Sequence, residues 1–159
     1  MRDQRIFEVI YIKTTVANLW DALTNPDVTQ TYWYGTRIES DWKVGSKVRY
    51  LRNGEVTDEH VVVAVDKPRQ LRHTFQPTFG EFKNEPPSRV TFGLSQNGEV
   101  ARLTVIHEGF PPQSKVFRAC SEGWPAILSN LKTLLETGAP LPTFEFEPQP
   151  ARFESSDNY

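Results

Sequence analysis

The spacing of hydrophobic residues near the start of the chain changes from strand-like to helical. Residues 6–12 alternate, with β-branched and aromatic side chains, and predict a first strand. Four apolar residues then recur at the spacing of an amphipathic helix: Val16, Leu19, Trp20 and Leu23. Thr14 or Thr15 can cap that helix, and Asn25-Pro26 predicts a second short helix that ends at about Trp33.

Turn residues then recur about every eight to twelve positions, which is typical of an antiparallel sheet. Asn53-Gly54 is the strongest hairpin signal, because both residues accept positive φ angles, and Gln96-Asn97-Gly98-Glu99 is a second. Six further strands are predicted, at residues 34–40, 47–52, 56–65, 70–76, 89–95 and 100–108. A long proline-rich loop covers residues 77–87.

The last regular element is a long amphipathic helix after Pro111-Pro112. Its apolar face comprises Phe117, Cys120, Trp124, Ile127, Leu128, Leu131, Leu134 and Leu135. Gly138 supplies the C-terminal stop. Pro125 lacks the amide of a normal helical residue, so we expect a bend near Gly123.

Together these elements predict an α+β protein with the helix-grip fold. A seven-stranded curved antiparallel sheet would wrap around the long C-terminal helix, with two short helices between strands 1 and 2. The 159 residues are enough for one domain, which we place at residues 1–138. Residues 139–159 would form a tail rich in proline and phenylalanine, packed on its own subunit or on a neighbour.

Composition and charge narrow the classes of partner. Lys and Arg total 18 against 20 for Asp and Glu, so no basic field favours nucleic acid or an anionic membrane. The chain has one cysteine, no signal-peptide pattern and no apolar run near 18 residues, which together predict a cytoplasmic protein. Aromatic residues make up 12% of the chain, more than a minimal core needs, and large flat side chains can line a cavity.

Metal, cofactor and catalytic motifs are not found. His60, His73, His107 and Cys120 stand singly, without the paired spacing of a zinc site, and no glycine-rich phosphate loop follows a strand. We therefore predict no metal, no cofactor and no catalytic residue. Strand parity places His73 and His107 among apolar neighbours. Each is either a half-buried histidine bonded to a carbonyl or carboxylate, or a polar group inside a pocket.

Three groups of residues carry a resemblance to a known family. They are Ile12, Thr14 and Leu19–Pro26 at the front, Tyr32-Trp33 and Val44-Gly45-Ser46 in the middle, and His107-Glu108-Gly109-Phe110, Gly123-Trp124, Leu128 and Leu131 at the back. With these motifs, residues 5–137 resemble the START/Bet v 1-like (SRPBCC) superfamily. Within it they are most similar to proteins related to the activator of the Hsp90 ATPase.

The resemblance implies a cavity between the sheet and the C-terminal helix that binds a small hydrophobic molecule. The expected ligand-binding residues are Trp33, Tyr50, His73, Phe75, Phe92, Val105, His107, Phe117, Trp124, Leu128 and Leu131. Two alternatives stay open: a protein-interaction module acting on a partner ATPase or regulator in the stress response, and a cyclase-like enzyme that uses cavity histidines or tyrosines. A homodimer is also possible. Members that bind Hsp90 carry a further N-terminal domain, whereas the first strand predicted here begins soon after Met1, so we expect the ligand carrier.

Overall fold

The computed structural model describes residues 4–142, which form one antiparallel sheet and three α-helices. The strands are β1 Ile6–Ile12, β2 Arg37–Ser40, β3 Lys47–Arg52, β4 Glu55–Asp66, β5 Gln70–Phe75, β6 Ser88–Asn97 and β7 Val100–Glu108. The helices are α1 Val16–Thr24, α2 Pro26–Tyr32 and α3 Lys115–Thr137, with a 3₁₀ turn at Phe82–Asn84. The strand order is β1-β7-β6-β5-β4-β3-β2, which confirms the predicted helix-grip fold.

Local signals set the ends of the helices. The Thr15 hydroxyl accepts the amide of Asn18 at the start of α1, and the Asn25 side chain caps α2, as predicted. Ser114 caps α3, and Gly138 ends it with a φ of 89°, which a residue with a Cβ adopts only with strain. Helix α3 continues through Pro125 without interruption, and the bend expected near Gly123 stays a prediction.

One predicted boundary is wrong by about three residues. Strand β2 begins at Arg37 rather than near residue 34. Tyr34 and Gly35 have φ angles of 51° and 71°, so they form a left-handed turn that an extended strand cannot include. The alternating pattern could not reveal this turn, because Tyr34 is a good strand former.

The inner face of the sheet packs against α3 to form the core. Alternate residues of β7 are buried, including Leu103, Val105 and His107, which confirms the parity predicted for this strand. Leu128 and Leu131 of α3 are buried in the same core. The C-terminal end of α3 is tied to the edge strand, since Lys132 donates to the Tyr11 carbonyl.

The chain turns back along α3 after Gly138. The Leu141 amide donates to Asn130 Oδ1 at 2.7 Å, two turns before the end of the helix. The predicted tail continues into residues 143–159, which lie outside the described residues. The division at residue 138 therefore stays an expectation.

Candidate ligand-binding cavity

A cavity of about 180 Å³ lies between the first half of α3 and strands β3 to β5. It reaches the surface beside Phe79 and Ala119, which are exposed. For comparison, an apolar cavity of roughly 150 Å³ in another protein binds benzene, whereas pockets for drug-sized ligands run from about 300 Å³ upwards. The space therefore suits a molecule built on a single ring.

Small residues of α3 create the space. Six residues from successive turns of the helix form this side of the wall: Val116, Ala119, Cys120, Gly123, Trp124 and Ile127. A Cβ placed on Gly123 would meet no atom within 4 Å, so the missing side chain leaves open volume. Burial raises the pKa of the Cys120 thiol to about 12, and the charges of Asp58 and Glu85 add to the shift. The thiol is therefore neutral and is a poor nucleophile.

Aromatic rings form most of the opposite side. The ring centroid of Trp33 lies 5.7 Å from that of Tyr50 and 5.6 Å from that of Trp124, both edge to face. Phe75 follows, 6.3 Å from Tyr50. All four residues were predicted to contact a ligand, and all four line the cavity, Trp124 from the α3 side and the other three from the opposite side. Tyr34, Pro77, Phe79 and Phe82 extend the wall towards the surface.

The other seven predicted ligand contacts lie elsewhere. His73, Phe92, Val105, His107, Leu128 and Leu131 are buried in the core, and Phe117 is half-buried against Phe110. Strand parity finds which side chains face inwards, but it does not show where the sheet and the helix separate. These seven residues pack behind or beside the cavity and do not form its wall.

His107 holds Trp124 in place. The indole N–H of Trp124 donates to His107 Nδ1 at 3.1 Å, and the Ser88 hydroxyl lies 2.7 Å from Nε2. Because the indole only donates, Nδ1 must accept, and in the neutral ring Nε2 then carries the proton and donates to Ser88. Burial lowers the pKa of His107 to about 3, which keeps the ring neutral. His107 is therefore a buried, hydrogen-bonded histidine and not a polar group on the cavity wall. Its partners are Ser88 and Trp124, whereas a carbonyl or a carboxylate was expected.

His60 and His73 form a second buried pair, with ring centroids 5.0 Å apart. His73 Nδ1 lies 2.6 Å from the Thr74 carbonyl oxygen, so it donates to that oxygen, which is the backbone partner we expected. His60 Nδ1 accepts the Gln76 amide at 2.8 Å, so its proton sits on Nε2. That Nε2 is buried without a hydrogen-bond partner among residues 4–142. Burial lowers the pKa of both histidines, that of His73 to about 4.

Most of the chain matches one known protein family. The model of a family described as "Activator of Hsp90 ATPase homolog 1-like protein" matches residues 13–136. The chain belongs to this family. No curated protein sequence matches it.

Solved structures share the architecture of this family member. The crystal structure of CalU16 from Micromonospora echinospora has a TM-score of 0.69 at 19% identity, over 96% of this chain and 82% of that one. The Aha1 dimer from Colwellia psychrerythraea has a TM-score of 0.69 at 21% identity, covering 84% and 97%. PFC0360w, an HSP90 activator from Plasmodium falciparum, has a TM-score of 0.68 at 20% identity, covering 82% and 95%. Identities this low support the fold alone.

In this family member, sequence reasoning missed two polar residues of β4 at or near the cavity. Asp58 lies on the wall and is 6% exposed, and His60 lies next to it on β4. Asp58, His60 and Val62 alternate along the inner face of that strand. This period-two pattern was the signal that could have placed both residues inside the protein.

A second depression lies on the surface between α1 and the Lys67-Pro68 turn. Its volume is about 520 Å³, larger than that of the first cavity, but only Trp20 among its lining residues is buried. Its lining includes Asp21 and Lys67 and only one aromatic residue, so it lacks the largely apolar wall that is typical of ligand pockets.

Within residues 4–142, no three His, Cys, Asp or Glu side chains are grouped so that they could hold a metal ion. None of the helices in that part of the chain is long and apolar enough to cross a membrane.

Proposed function

We propose that this protein binds a small hydrophobic molecule, about the size of one substituted aromatic ring, in the cavity beneath α3. The observation that carries the proposal is the cavity of about 180 Å³ with its largely aromatic wall. Burying apolar surface there contributes roughly 25 cal/mol per Å². The rings of Trp33, Tyr50, Phe75 and Trp124 offer edge-to-face contacts to an aromatic guest.

The wall is held in a defined shape before any ligand arrives. Trp124 is fixed by its hydrogen bond to His107, and Trp33 packs against both Trp124 and Tyr50. Preorganised side chains lose little conformational entropy on binding, which favours affinity for a small guest.

The test is to fill the cavity. Titration with ethylbenzene, followed by amide chemical shifts, should move signals of residues on the wall, and the intrinsic fluorescence of Trp33 and Trp124 should change. Gly123→Leu places a side chain in the open space and should abolish binding.

The matched control is Ser129→Leu, which adds the same side chain at an exposed position of the same helix. It should bind ethylbenzene as the unmodified protein does. Equal binding by the Gly123→Leu variant would show that the guest lies elsewhere, and no binding by the unmodified protein would overturn the proposal.

A protein-interaction role is the second candidate, and a surface stripe favours it. Phe7, Val9 and Tyr11 point outwards from the edge strand β1 and are 54%, 37% and 53% exposed. Exposed apolar groups in a row are typical of a contact surface for another protein or a second copy of the chain. Sedimentation velocity should then show a dimer or a complex that Tyr11→Glu disrupts. Val63→Glu, on the outer face of β4, is the control.

A cyclase-like reaction has less support from the geometry. Both ring nitrogens of His107 are engaged, and neither His73 nor His107 lies on the cavity wall. A general acid or base must reach the substrate.

The cytoplasmic location is supported by the single cysteine of the chain, and a part in the stress response stays a prediction.

A further inference from the structure

Two charged residues, on neighbouring strands, contribute to the wall of the otherwise largely apolar cavity. Asp58 of β4 is paired in register with Tyr50 of β3, and Arg52 follows Tyr50 by two positions on the same strand. All three residues are on the cavity wall. The cavity therefore has a polar end, which we define as Asp58 and Arg52.

The Asp58 carboxylate is only half satisfied. Its Oδ1 accepts the Thr57 hydroxyl at 2.7 Å. Its Oδ2 lies 3.8 Å from His60 Nε2, which is too far for a hydrogen bond, and that Nε2 has no other partner in the described part of the chain. Asp58 Oδ2 is not sealed off from solvent and has no hydrogen-bond donor among residues 4–142, so a ligand in the cavity can donate to it.

Arg52 supplies the opposite charge. Its Nε donates to the hydroxyl of the buried Thr36 at 2.8 Å, which orients the guanidinium group. The charge of Arg52 lies close enough to lower the pKa of Asp58, against the larger effect of burial, which raises that pKa to about 6. The polar end thus contains a buried acceptor and an exposed charged donor on the same cavity wall.

This pairing selects among polar groups on a ligand. Asp58 repels a carboxylate that Arg52 attracts, and Arg52 repels an ammonium group that Asp58 attracts. The two effects oppose each other in both cases, so neither ion gains enough to offset the hydration that it would lose in an apolar cavity. A neutral hydroxyl group meets both residues, because it donates one hydrogen bond and accepts others.

Resting on the proposed function, we propose that the ligand is a single-ring hydrophobic molecule with a neutral hydroxyl group, which donates to Asp58 Oδ2 and accepts from the Arg52 guanidinium. The ring would occupy the aromatic part of the wall. Alcohols and phenols are the chemical class that fits.

Four probes of similar size test this proposal: ethylbenzene, benzyl alcohol, benzylamine and benzoate. In calorimetric titrations at pH 7.5, benzyl alcohol should bind about tenfold more tightly than ethylbenzene, which corresponds to one hydrogen bond to a charged group. Benzylamine and benzoate should both bind more weakly than benzyl alcohol.

Two variants assign the preference to the polar end. Asp58→Leu should reduce the affinity ratio of benzyl alcohol to ethylbenzene from about ten to about one. Asp66→Leu, an exposed position at the end of the same strand, should leave the ratio unchanged. Arg52→Met removes the cation that repels an ammonium group, at an exposed position, so benzylamine should gain affinity even if Asp58→Leu does not fold.

The outcomes separate the two proposals. Equal binding of ethylbenzene and benzyl alcohol would overturn the hydroxyl preference and leave the hydrophobic cavity standing. Tightest binding of benzylamine or benzoate would overturn the chemical class. Binding of none of the four probes would overturn the proposed function together with this inference.

Discussion

The two halves of α3 meet the same sheet in different ways. The second half contributes Leu128 and Leu131 to the core that also contains Leu103 and Val105 of β7, which are fully buried. The first half presents Gly123 and other small residues to strands β3 to β5 and leaves about 180 Å³ of space. The difference shows that side-chain size along one face of the helix decides where the protein has a packed core and where it has a cavity.

The cavity beside the first half of α3 lowers the stability of the protein, and packing around the second half must compensate for this loss. In core truncations, each Å³ of cavity costs about 24 cal/mol, which for this volume gives an upper value of about 4 kcal/mol. That is a large fraction of the roughly 5–15 kcal/mol by which domains are stable. A cavity of this cost is more easily understood as a functional feature than as a packing defect.

The largest expected effect is at the packed half. Leu131→Ala should lower the free energy of unfolding by about 4 kcal/mol, because Leu131 is fully buried among close neighbours. Ile127→Ala, one turn earlier on the cavity wall, should cost about half as much, since part of that side chain already faces open space. Urea unfolding of both variants measures the difference, and equal losses would show that the halves are packed alike.

Lowering the pH should destabilise the folded protein mainly through its buried histidines. The folded-state pKa values of His73 and His107 are lowered to about 4 and 3, so the unfolded chain binds more protons as pH falls below 6.5. When the pH falls from 7 to 5, these two residues should lower the free energy of unfolding by about 4 kcal/mol in total. His60, whose pKa is also lowered by burial, acts in the same direction. Asp58 opposes them with about 1 kcal/mol, because its raised pKa makes the folded state the better proton binder between pH 6 and 4.

Urea unfolding at pH 7 and pH 5 tests this sum. The free energy of unfolding should fall by about 3 kcal/mol or more. His107→Gln, which retains a polar side chain, should reduce the pH dependence. Unchanged stability at pH 5 would mean that the histidines are not buried as neutral rings.

The smallest expected effect is at the cavity. Gly123→Leu should raise the free energy of unfolding by about 2 kcal/mol, because it replaces a helical glycine and buries an apolar side chain in open space. Thermal unfolding measures the gain, and Ser129→Leu, which gains no burial, is the control. Destabilisation by Gly123→Leu would indicate that the space is too narrow for a side chain.

Periodicity in the sequence predicted the fold in detail. The seven strands, both short helices and the caps at Thr15 and Asn25 are present in the structure. These features depend on neighbours within a few residues, so the local pattern contains the information. The start of β2 was missed because the left-handed turn at Tyr34 has no signal in a hydrophobic pattern.

The site could be predicted only in part. Tyr50, Phe75 and Trp124 were predicted from the inner face of their elements and line the cavity, but Val105 and Leu131, predicted in the same way, lie in the core. Parity assigns a side chain to a face and says nothing of its distance from the opposite element. Asp58 was overlooked because a charged residue on a strand is more often on the outer face.

The sequence by itself therefore determined the family, the order of elements and the inward-facing residues, since each follows from local periodicity and short motifs. Only the tertiary structure decided that the small residues of α3 stand opposite the aromatic residues of β3 to β5. It also decided that Asp58 and Arg52 share one end of the resulting cavity. Those contacts join residues distant along the chain, and their spacing depends on how sheet and helix pack, which no local pattern encodes.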